Sequence, residues 1–283
     1  MTANENIRAQ LSALQEHGSL PKSACGGALL KFLKPLLDSE VVAEERSGAG
    51  RRLVVRDTSA LQDFFESRFP EVAVSEATPS RIAGVARFRD SKSHPNDVPE
   101  IVCVRCFAPE TLRRDEQKVG AASASEENGV FAFVLRESER WTVHGVCALV
   151  ENPAVFLALE TLGLNVELAI HGRGRSSHQL LNWLASQADK QFQLLHLPDY
   201  DPTGLDEFER VRECLGPRAQ LYVPAELPDL FRRFSKRELL ANPHAQTLLA
   251  KLRLSDSAEV RRVVALIDLY NAGLEQEALL INV

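Results

Sequence analysis

Asp199 and Asp201 end an apolar run in QLLHLPDYDPTGL, and their types and spacing suit metal chemistry. Side chains alternate along an extended segment, so the two aspartates project the same way while Tyr200 turns away. Pro202 stops the strand and Gly204 opens a helix. The pair therefore points off the carboxyl end of a strand, where open α/β sheets place their ligands. Hard carboxylate oxygens suit Mg²⁺, which binds through one or two carboxylates and keeps its other positions for water or phosphate. The same residues also make an ordinary helix start, with Asp201 as cap and Pro202 at the first helical position.

A third carboxylate, Glu151, ends TVHGVCALVE just before Asn152-Pro153. In one parallel sheet these strand ends share an edge. Three carboxylates there, with no Lys or Arg beside them, repel one another unless a divalent cation sits among them. Arg173 and Arg175 of GRGRSS follow another strand onto that edge, where they either clamp a phosphate or form a structural turn. His171 and His196 lie near strand ends and are candidate proton carriers, although a satisfied core histidine is the more frequent outcome. Cys103 and Cys106 form a lone C-x-x-C in EIVCVRCF; zinc takes four ligands, and no second pair exists.

For the carboxylates to meet, strands and helices must alternate, and from Trp141 they do. TVHGVCALVE, VELAIH, FQLLHLPD and AQLYV read as strands. NPAVFLALETLG, HQLLNWLASQA and DEFERVREC read as helices, with Val155, Leu159 and Leu162 on one face and Leu180, Trp183 and Leu184 on another. That order predicts an α/β fold: a mostly parallel sheet with right-handed crossovers, covered by helices on both faces. Residues 141–283 form this unit together with a helical carboxyl-terminal extension.

Residues 1–70 follow another pattern. Ile7, Leu11 and Leu14 have helical spacing and Gly18 ends the run; an apolar helix follows through Leu29, Leu30, Leu33, Leu36 and Leu37. VVAEERSGAGRRLVVRD is two β-branched runs joined by Ser47-Gly48-Ala49-Gly50, a hairpin signal, and a helix from Ser59 to Arg68 closes the unit. Helix, turn, helix and hairpin is the order of a winged helix. Its tip carries Arg46, Arg51 and Arg52, suited to phosphate contacts. Glu44 and Glu45 dilute that charge, so a wing used for protein contacts stays open.

Residues 71–140 read as a β-containing middle or linker segment. RIAGVARFRDSKSH brings Arg81, Arg87, Arg89, Lys92 and His94 close together, either to touch a phosphate backbone or as a solvated loop. EIVCVRCF and GVFAFVLRE read as strands. The polar stretch between them, PETLRRDEQKVGAASASEENG, reads as a mobile loop or linker.

The 283 residues, 45% hydrophobic and 25% charged, are those of an ordinary globular chain of one large or two smaller domains. A net charge of −6 gives no global footprint for nucleic acid, so any such contact needs locally basic faces. No apolar signal core or membrane-length run stands out. Five scattered cysteines without a secretion signal predict reduced thiols and a cytoplasmic location.

A glutamate after the first strand and a D-x-D after the third, within a small parallel α/β unit, resembles the Toprim domain from Trp141 to about Pro224. V-E-N-P-A-V-F and D-Y-D-P-T-G-L are similar to the Toprim half of the topoisomerase VI A subunit. They are more similar still to the JetD or MksG nucleases of SMC-type plasmid-defence systems, Wadjet and its relatives. In that family, too, a winged-helix domain precedes the Toprim unit. The resemblance implies that Glu151, Asp199 and Asp201 are catalytic ligands of one or two Mg²⁺ or Mn²⁺ ions. Glu277 of L-E-Q-E-A-L is implied as a further ligand. The implied function is a DNA endonuclease subunit that cuts double-stranded DNA with metal-activated water. Its implied partners are an SMC-like ATPase complex with kleisin-type subunits and no membrane, with a homodimer left open.

The topoisomerase branch breaks DNA with a tyrosine in its winged-helix domain. Here Tyr200, Tyr222 and Tyr270 all lie outside residues 1–70, which leaves hydrolysis. Two other readings stay open. One is a non-catalytic winged-helix DNA-binding or adaptor subunit with a structural Toprim domain; the other is a different Toprim enzyme acting on RNA or a primer.

Overall fold

The structure is a computed structural model that describes residues 3–69 and 98–281, together with Ile82 and Val85. It divides into two compact units, Met1–Val98 and Pro99–Val283.

The first unit runs α1 (Ala3–His17), β1 (Ser19–Pro21), α2 (Gly27–Phe32), α3 (Lys34–Asp38), β2 (Val42–Ser47), β3 (Gly50–Val55) and α4 (Thr58–Arg68). The hairpin reads as expected, with Val42 opposite Val55 and Ser47 opposite Gly50, and β1 adds a third antiparallel strand beside β3. The expected single helix through Leu29 to Leu37 is instead two, α2 and α3. Pro35 has no N–H to continue α2 and suits the first turn of a new helix. Leu11, Leu14, Leu29, Leu33, Leu53 and Leu61 close the core of this unit.

The second unit centres on a mixed six-stranded sheet. Its strands are β4 (Glu100–Cys106), β7 (Phe131–Leu135), β9 (Val146–Val150), β10 (Leu168–His171), β11 (Gln193–Leu197) and β12 (Ala219–Leu221), in the order β12-β11-β9-β10-β4-β7. The four strands from β9 onward are mutually parallel, and β4 pairs antiparallel with both β10 and β7. Both strands expected between residues 71 and 140 thus extend the sheet of the carboxyl half.

Three expectations change. The run TVHGVCALVE is two strands: β8 (Trp141–Val143) pairs in a separate small sheet with β5 (Leu112–Arg114), itself beside β6 (Gln117–Lys118), and only β9 enters the main sheet. The break falls at Gly145, whose φ of +76° and contact with the Glu167 carboxylate leave no room for a Cβ. The polar stretch expected to be a mobile loop holds β5, β6 and α5 (Ala121–Asn128). There, buried Ser125 donates to the Ala121 carbonyl at 2.7 Å and accepts from Cys106 N–H at 2.9 Å. The helix expected over NPAVFLALETLG stops as α6 (Pro153–Leu157), followed by a 3₁₀ turn, Leu159–Leu162. Arg105 of β4 binds the Phe156 and Leu157 carbonyls at 3.1 and 2.8 Å, at the point where the α-helical ladder gives way.

Along β9, Cys147 and Leu149 face one core while Ala148 and Val150 face another. α6 covers the second side. The first is covered by α7 (His178–Ala185) and α8 (Pro202–Leu215), with α9 (Leu227–Phe234), α10 (Pro243–Leu252) and α11 (Ala258–Tyr270) completing that layer. Sheet strands buried on both faces read as continuous apolar runs, which is why β9 and β11 stand out in the sequence. Among the described residues no helix is long and apolar enough to cross a membrane.

Gly204, in the first turn of α8, lies so close to the Asp199 backbone that an added Cβ would collide with the Asp199 carbonyl oxygen. Gly204→Ala is therefore expected to destabilise the unit by about 1–3 kcal/mol, read as a lower urea midpoint. An unchanged midpoint would mean that the start of α8 can shift freely.

Candidate acidic site

β9 and β11 are neighbours in the sheet, with Val150 opposite Leu197. Their ladder closes with Glu151 N–H donating to the Leu197 carbonyl at 3.2 Å. Both strands then turn into helices headed by proline. Asn152 caps α6, accepting from Ala154 N–H at 2.8 Å, and Asp201 caps α8, accepting from Gly204 N–H at 2.8 Å. Asp201 thus performs the capping role that its sequence also suggested.

The two corners bring Glu151 and Asp199 together. Glu151 Oε2 accepts from Asp199 N–H at 3.4 Å, and Asp199 Oδ1 accepts from Gln276 N–H at 2.7 Å. Burial raises the pKa of Glu151, and the charges of Asp201 and Glu207 add to it, against the Asp199 N–H. Asp199 is pushed up to about 7, chiefly by burial and further by Glu151, Asp201 and Glu277, while the Gln276 N–H opposes the rise. Burial also raises Asp201, against the Gly204 and Thr203 amides. Among the described residues, the charges that raise Glu151 and Asp199 belong to carboxylates. Exposed Glu277, on the 3₁₀ turn Gln276–Leu280, is one of them.

Tyr200 turns away, as alternation predicts. Its ring is fully buried and its hydroxyl donates to the Tyr222 carbonyl at 3.0 Å. Its backbone pairs with Leu274, N–H to carbonyl at 2.8 Å and the reverse at 3.0 Å, which docks the carboxyl-terminal tail beside the site.

As donors the carboxylates fit Mg²⁺ or Mn²⁺: they are hard oxygens whose mutual repulsion a cation relieves. Among the described residues, however, no group of three or more His, Cys, Asp or Glu side chains is gathered as it would be around an ion. An ion that takes one or two carboxylates and otherwise water needs no such closed set.

The loop between β10 and α7 borders Glu151: a Cβ on Gly174 would lie 3.9 Å from Glu151 Oε1. Arg173 and Arg175 on this loop are exposed, and Arg175 is loosely paired at 3.9 Å with both Asp206 and Glu207. Glu207, buried on α8, holds the loop through Ser176 N–H at 2.9 Å and pairs with Arg210 at 2.7 Å. His171 stacks on Phe156 at 5.2 Å. Burial and then Arg173 lower its pKa, against a hydrogen bond with the Glu151 backbone. His196 does not suit proton transfer. It is buried beside Phe208, and burial, with Arg210, holds its pKa down to about 3, so it stays neutral.

In the first unit, Arg51 pairs with Glu44 at 2.6 Å and Arg52 donates to Ser19 Oγ at 2.9 Å. Both line a surface groove of about 450 Å³ with Lys22, Ser23 and Ser47. Exposed Arg46 stands opposite Arg51 in the hairpin. Arg87, Arg89 and Lys92, with Arg81 and His94, lie outside the described residues.

Sequence reasoning missed Gln276 and Glu207. Gln276 binds segments far away in sequence and Glu207 holds a distant loop, so neither has a local signal beyond standing in L-E-Q-E-A-L and D-E-F-E-R.

Fold and site together define a class: an α/β unit with a mixed six-stranded sheet flanked by helices, and neighbouring carboxylates at the carboxyl edge of its parallel strands. No protein-family model matches the sequence, and no curated protein matches it significantly.

Proposed function

We propose that this chain is a divalent-metal-dependent DNA endonuclease whose carboxyl half is a Toprim-like catalytic unit and whose amino-terminal unit is a DNA-contacting winged helix. One observation carries the reading: carboxylates from two adjacent parallel strands meet, the neighbouring charges that raise their pKa are carboxylates among the described residues, and Asp199 is pushed up to about 7. The order of helices and hairpin in residues 3–69, with its cationic groove, supports the winged-helix part.

When bound, a divalent ion supplies an acidified water and charge neutralisation at a phosphate. Glu151, Asp199 and Asp201 would hold it, with Glu277 as a further candidate. Gln276 N–H and Gly204 N–H orient Asp199 and Asp201. Arg173 and Arg175 are available to a phosphodiester from the neighbouring loop. The resemblance to JetD and MksG proposes double-stranded DNA as substrate, delivered by an SMC-like ATPase complex with kleisin-type subunits. A net charge of −6 agrees with weak unaided DNA binding.

A second reading, an adaptor with an idle Toprim-like unit, draws on Asp201 acting as a helix cap and on the absence of a gathered ligand set among the described residues. Supercoiled plasmid with Mn²⁺ separates the two: wild-type protein cleaves it and Asp199→Ala does not, whereas an adaptor cleaves with neither. For the groove, Arg51→Glu with Arg52→Glu is expected to weaken DNA binding and to flatten its salt dependence by about one slope unit per lost phosphate contact. A salt slope equal to the wild type would assign the hairpin to protein contacts.

A further inference from the structure

The β9–β11 ladder ends at the bond from Glu151 N–H to the Leu197 carbonyl. The next rung is missing because both strands turn into proline-headed helices. One side chain takes its place. Gln276 Oε1 accepts from Asn152 N–H at 2.8 Å, and Gln276 Nε2 donates to the Leu197 carbonyl. The same residue's backbone N–H donates to Asp199 Oδ1 at 2.7 Å. Gln276 is fully buried, so water does not compete for these bonds.

We propose that Gln276 is a positioning residue of the acidic site: its amide replaces the missing rung and sets the spacing of the segments that carry Glu151 and Asp199. The proposal rests on the metal-dependent reading above. A terminal amide is the group required here. It offers a donor and an acceptor together, which neither a carboxylate nor an apolar side chain does. It is also neutral, whereas glutamate would add another negative charge beside Glu151, Asp199, Asp201 and Glu277. Asparagine is one methylene too short to reach both partners while its backbone stays in place. The tail has anchors independent of this side chain: the Tyr200–Leu274 pair, the backbone pair of Lys236 with Gly273 at 2.7 and 3.0 Å, and the ion pair of Lys236 with Glu275. Removing the amide therefore leaves the tail docked and loosens only the carboxylate-bearing corners.

The test is Mn²⁺ titration of the full chain, followed by calorimetry and by the Mn²⁺ paramagnetic resonance signal, at a temperature where each variant is folded. Gln276→Met is expected to weaken Mn²⁺ binding by about 10–100-fold, the usual cost of losing a group that orients a ligand. Gln276→Asn, which keeps the polarity but not the reach, gives the same direction and serves if Gln276→Met does not fold. Amide hydrogen exchange supplies a readout without metal. Asn152 N–H is expected to exchange about tenfold faster in either variant, while Tyr200 N–H, paired with Leu274, keeps its protection. Wild-type Mn²⁺ affinity in both variants, or unchanged protection at Asn152, overturns the proposal. A wild-type protein that binds no Mn²⁺ overturns the metal-dependent reading instead, and exchange at Asn152 then decides the role of Gln276 alone.

Discussion

Replacing Asp199 by Asn is expected to raise the melting temperature of the metal-free protein at pH 8 and to leave it nearly unchanged at pH 4. The cause is the folded-state pKa of Asp199, lifted from 3.8 to about 7 by burial first and then by Glu151, Asp201 and Glu277. A raised carboxylate pKa means that the folded chain holds the proton more tightly than the unfolded chain. Stability from this group is thus greatest near pH 4 and below, falls as pH rises toward 7, and is flat above that. The difference corresponds to about 4 kcal/mol at 1.36 kcal/mol per pKa unit. Partial exposure and the sharing of charge with Glu151 reduce it to about 2 kcal/mol, or roughly 4–8 °C for a unit of this size. Asparagine keeps the oxygen that accepts from Gln276 N–H, so charge alone is removed. Mn²⁺ reverses the ranking, because the wild type gains stability from binding and Asp199→Asn does not. Equal melting curves at pH 8 would show that the carboxylates do not strain the fold.

The carboxyl edge of the sheet was legible because its strands are buried on both faces. Val146–Val150 reads as an unbroken apolar run and Gln193–Leu197 as one interrupted by His196, and the proline after Asn152 and after Asp201 marks where each ends. The adjacency of Glu151 and Asp199 follows from β9 and β11 being neighbours. What stayed hidden depends on distant partners. Nothing near Leu157 announces that an arginine on β4 binds its carbonyl and that of Phe156. Ala121–Asn128 has so few large apolar residues that its helix is invisible to periodicity, and its burial rests on Ala121 and Ser125. His196 illustrates the converse, since its position near a strand end leaves proton transfer open while its burial beside Phe208 agrees with the core histidine that is the more frequent expectation. In L-E-Q-E-A-L the local pattern marks the two glutamates and gives no sign of Gln276 between them. Only the docking of the tail on Tyr200 reveals the amide as the central group.

Alanine at Glu151 or Asp199 is expected to lower plasmid cleavage on the order of 10³-fold, equivalent to about 4 kcal/mol of transition-state stabilisation. Asp201 requires a different substitution. Alanine there removes the cap of α8 as well as the charge, at about 1 kcal/mol of stability, which confuses the two roles. Asp201→Asn caps about as well as aspartate, so a comparable loss of cleavage with an unchanged melting temperature assigns the defect to the missing charge. Cleavage is expected to stop on addition of EDTA and to leave no protein attached to DNA. Tyr200, the tyrosine nearest the carboxylates in sequence, points into the core with its hydroxyl on the Tyr222 carbonyl. Tyr200→Phe therefore leaves cleavage intact and costs about 1 kcal/mol of stability. Denaturing gels of labelled plasmid check the adduct directly. A protein–DNA adduct that disappears with Tyr200→Phe, Tyr222→Phe or Tyr270→Phe would replace hydrolysis with covalent strand transfer. Full cleavage by both Asp199→Ala and Asp201→Asn would remove the acidic site from the chemistry altogether.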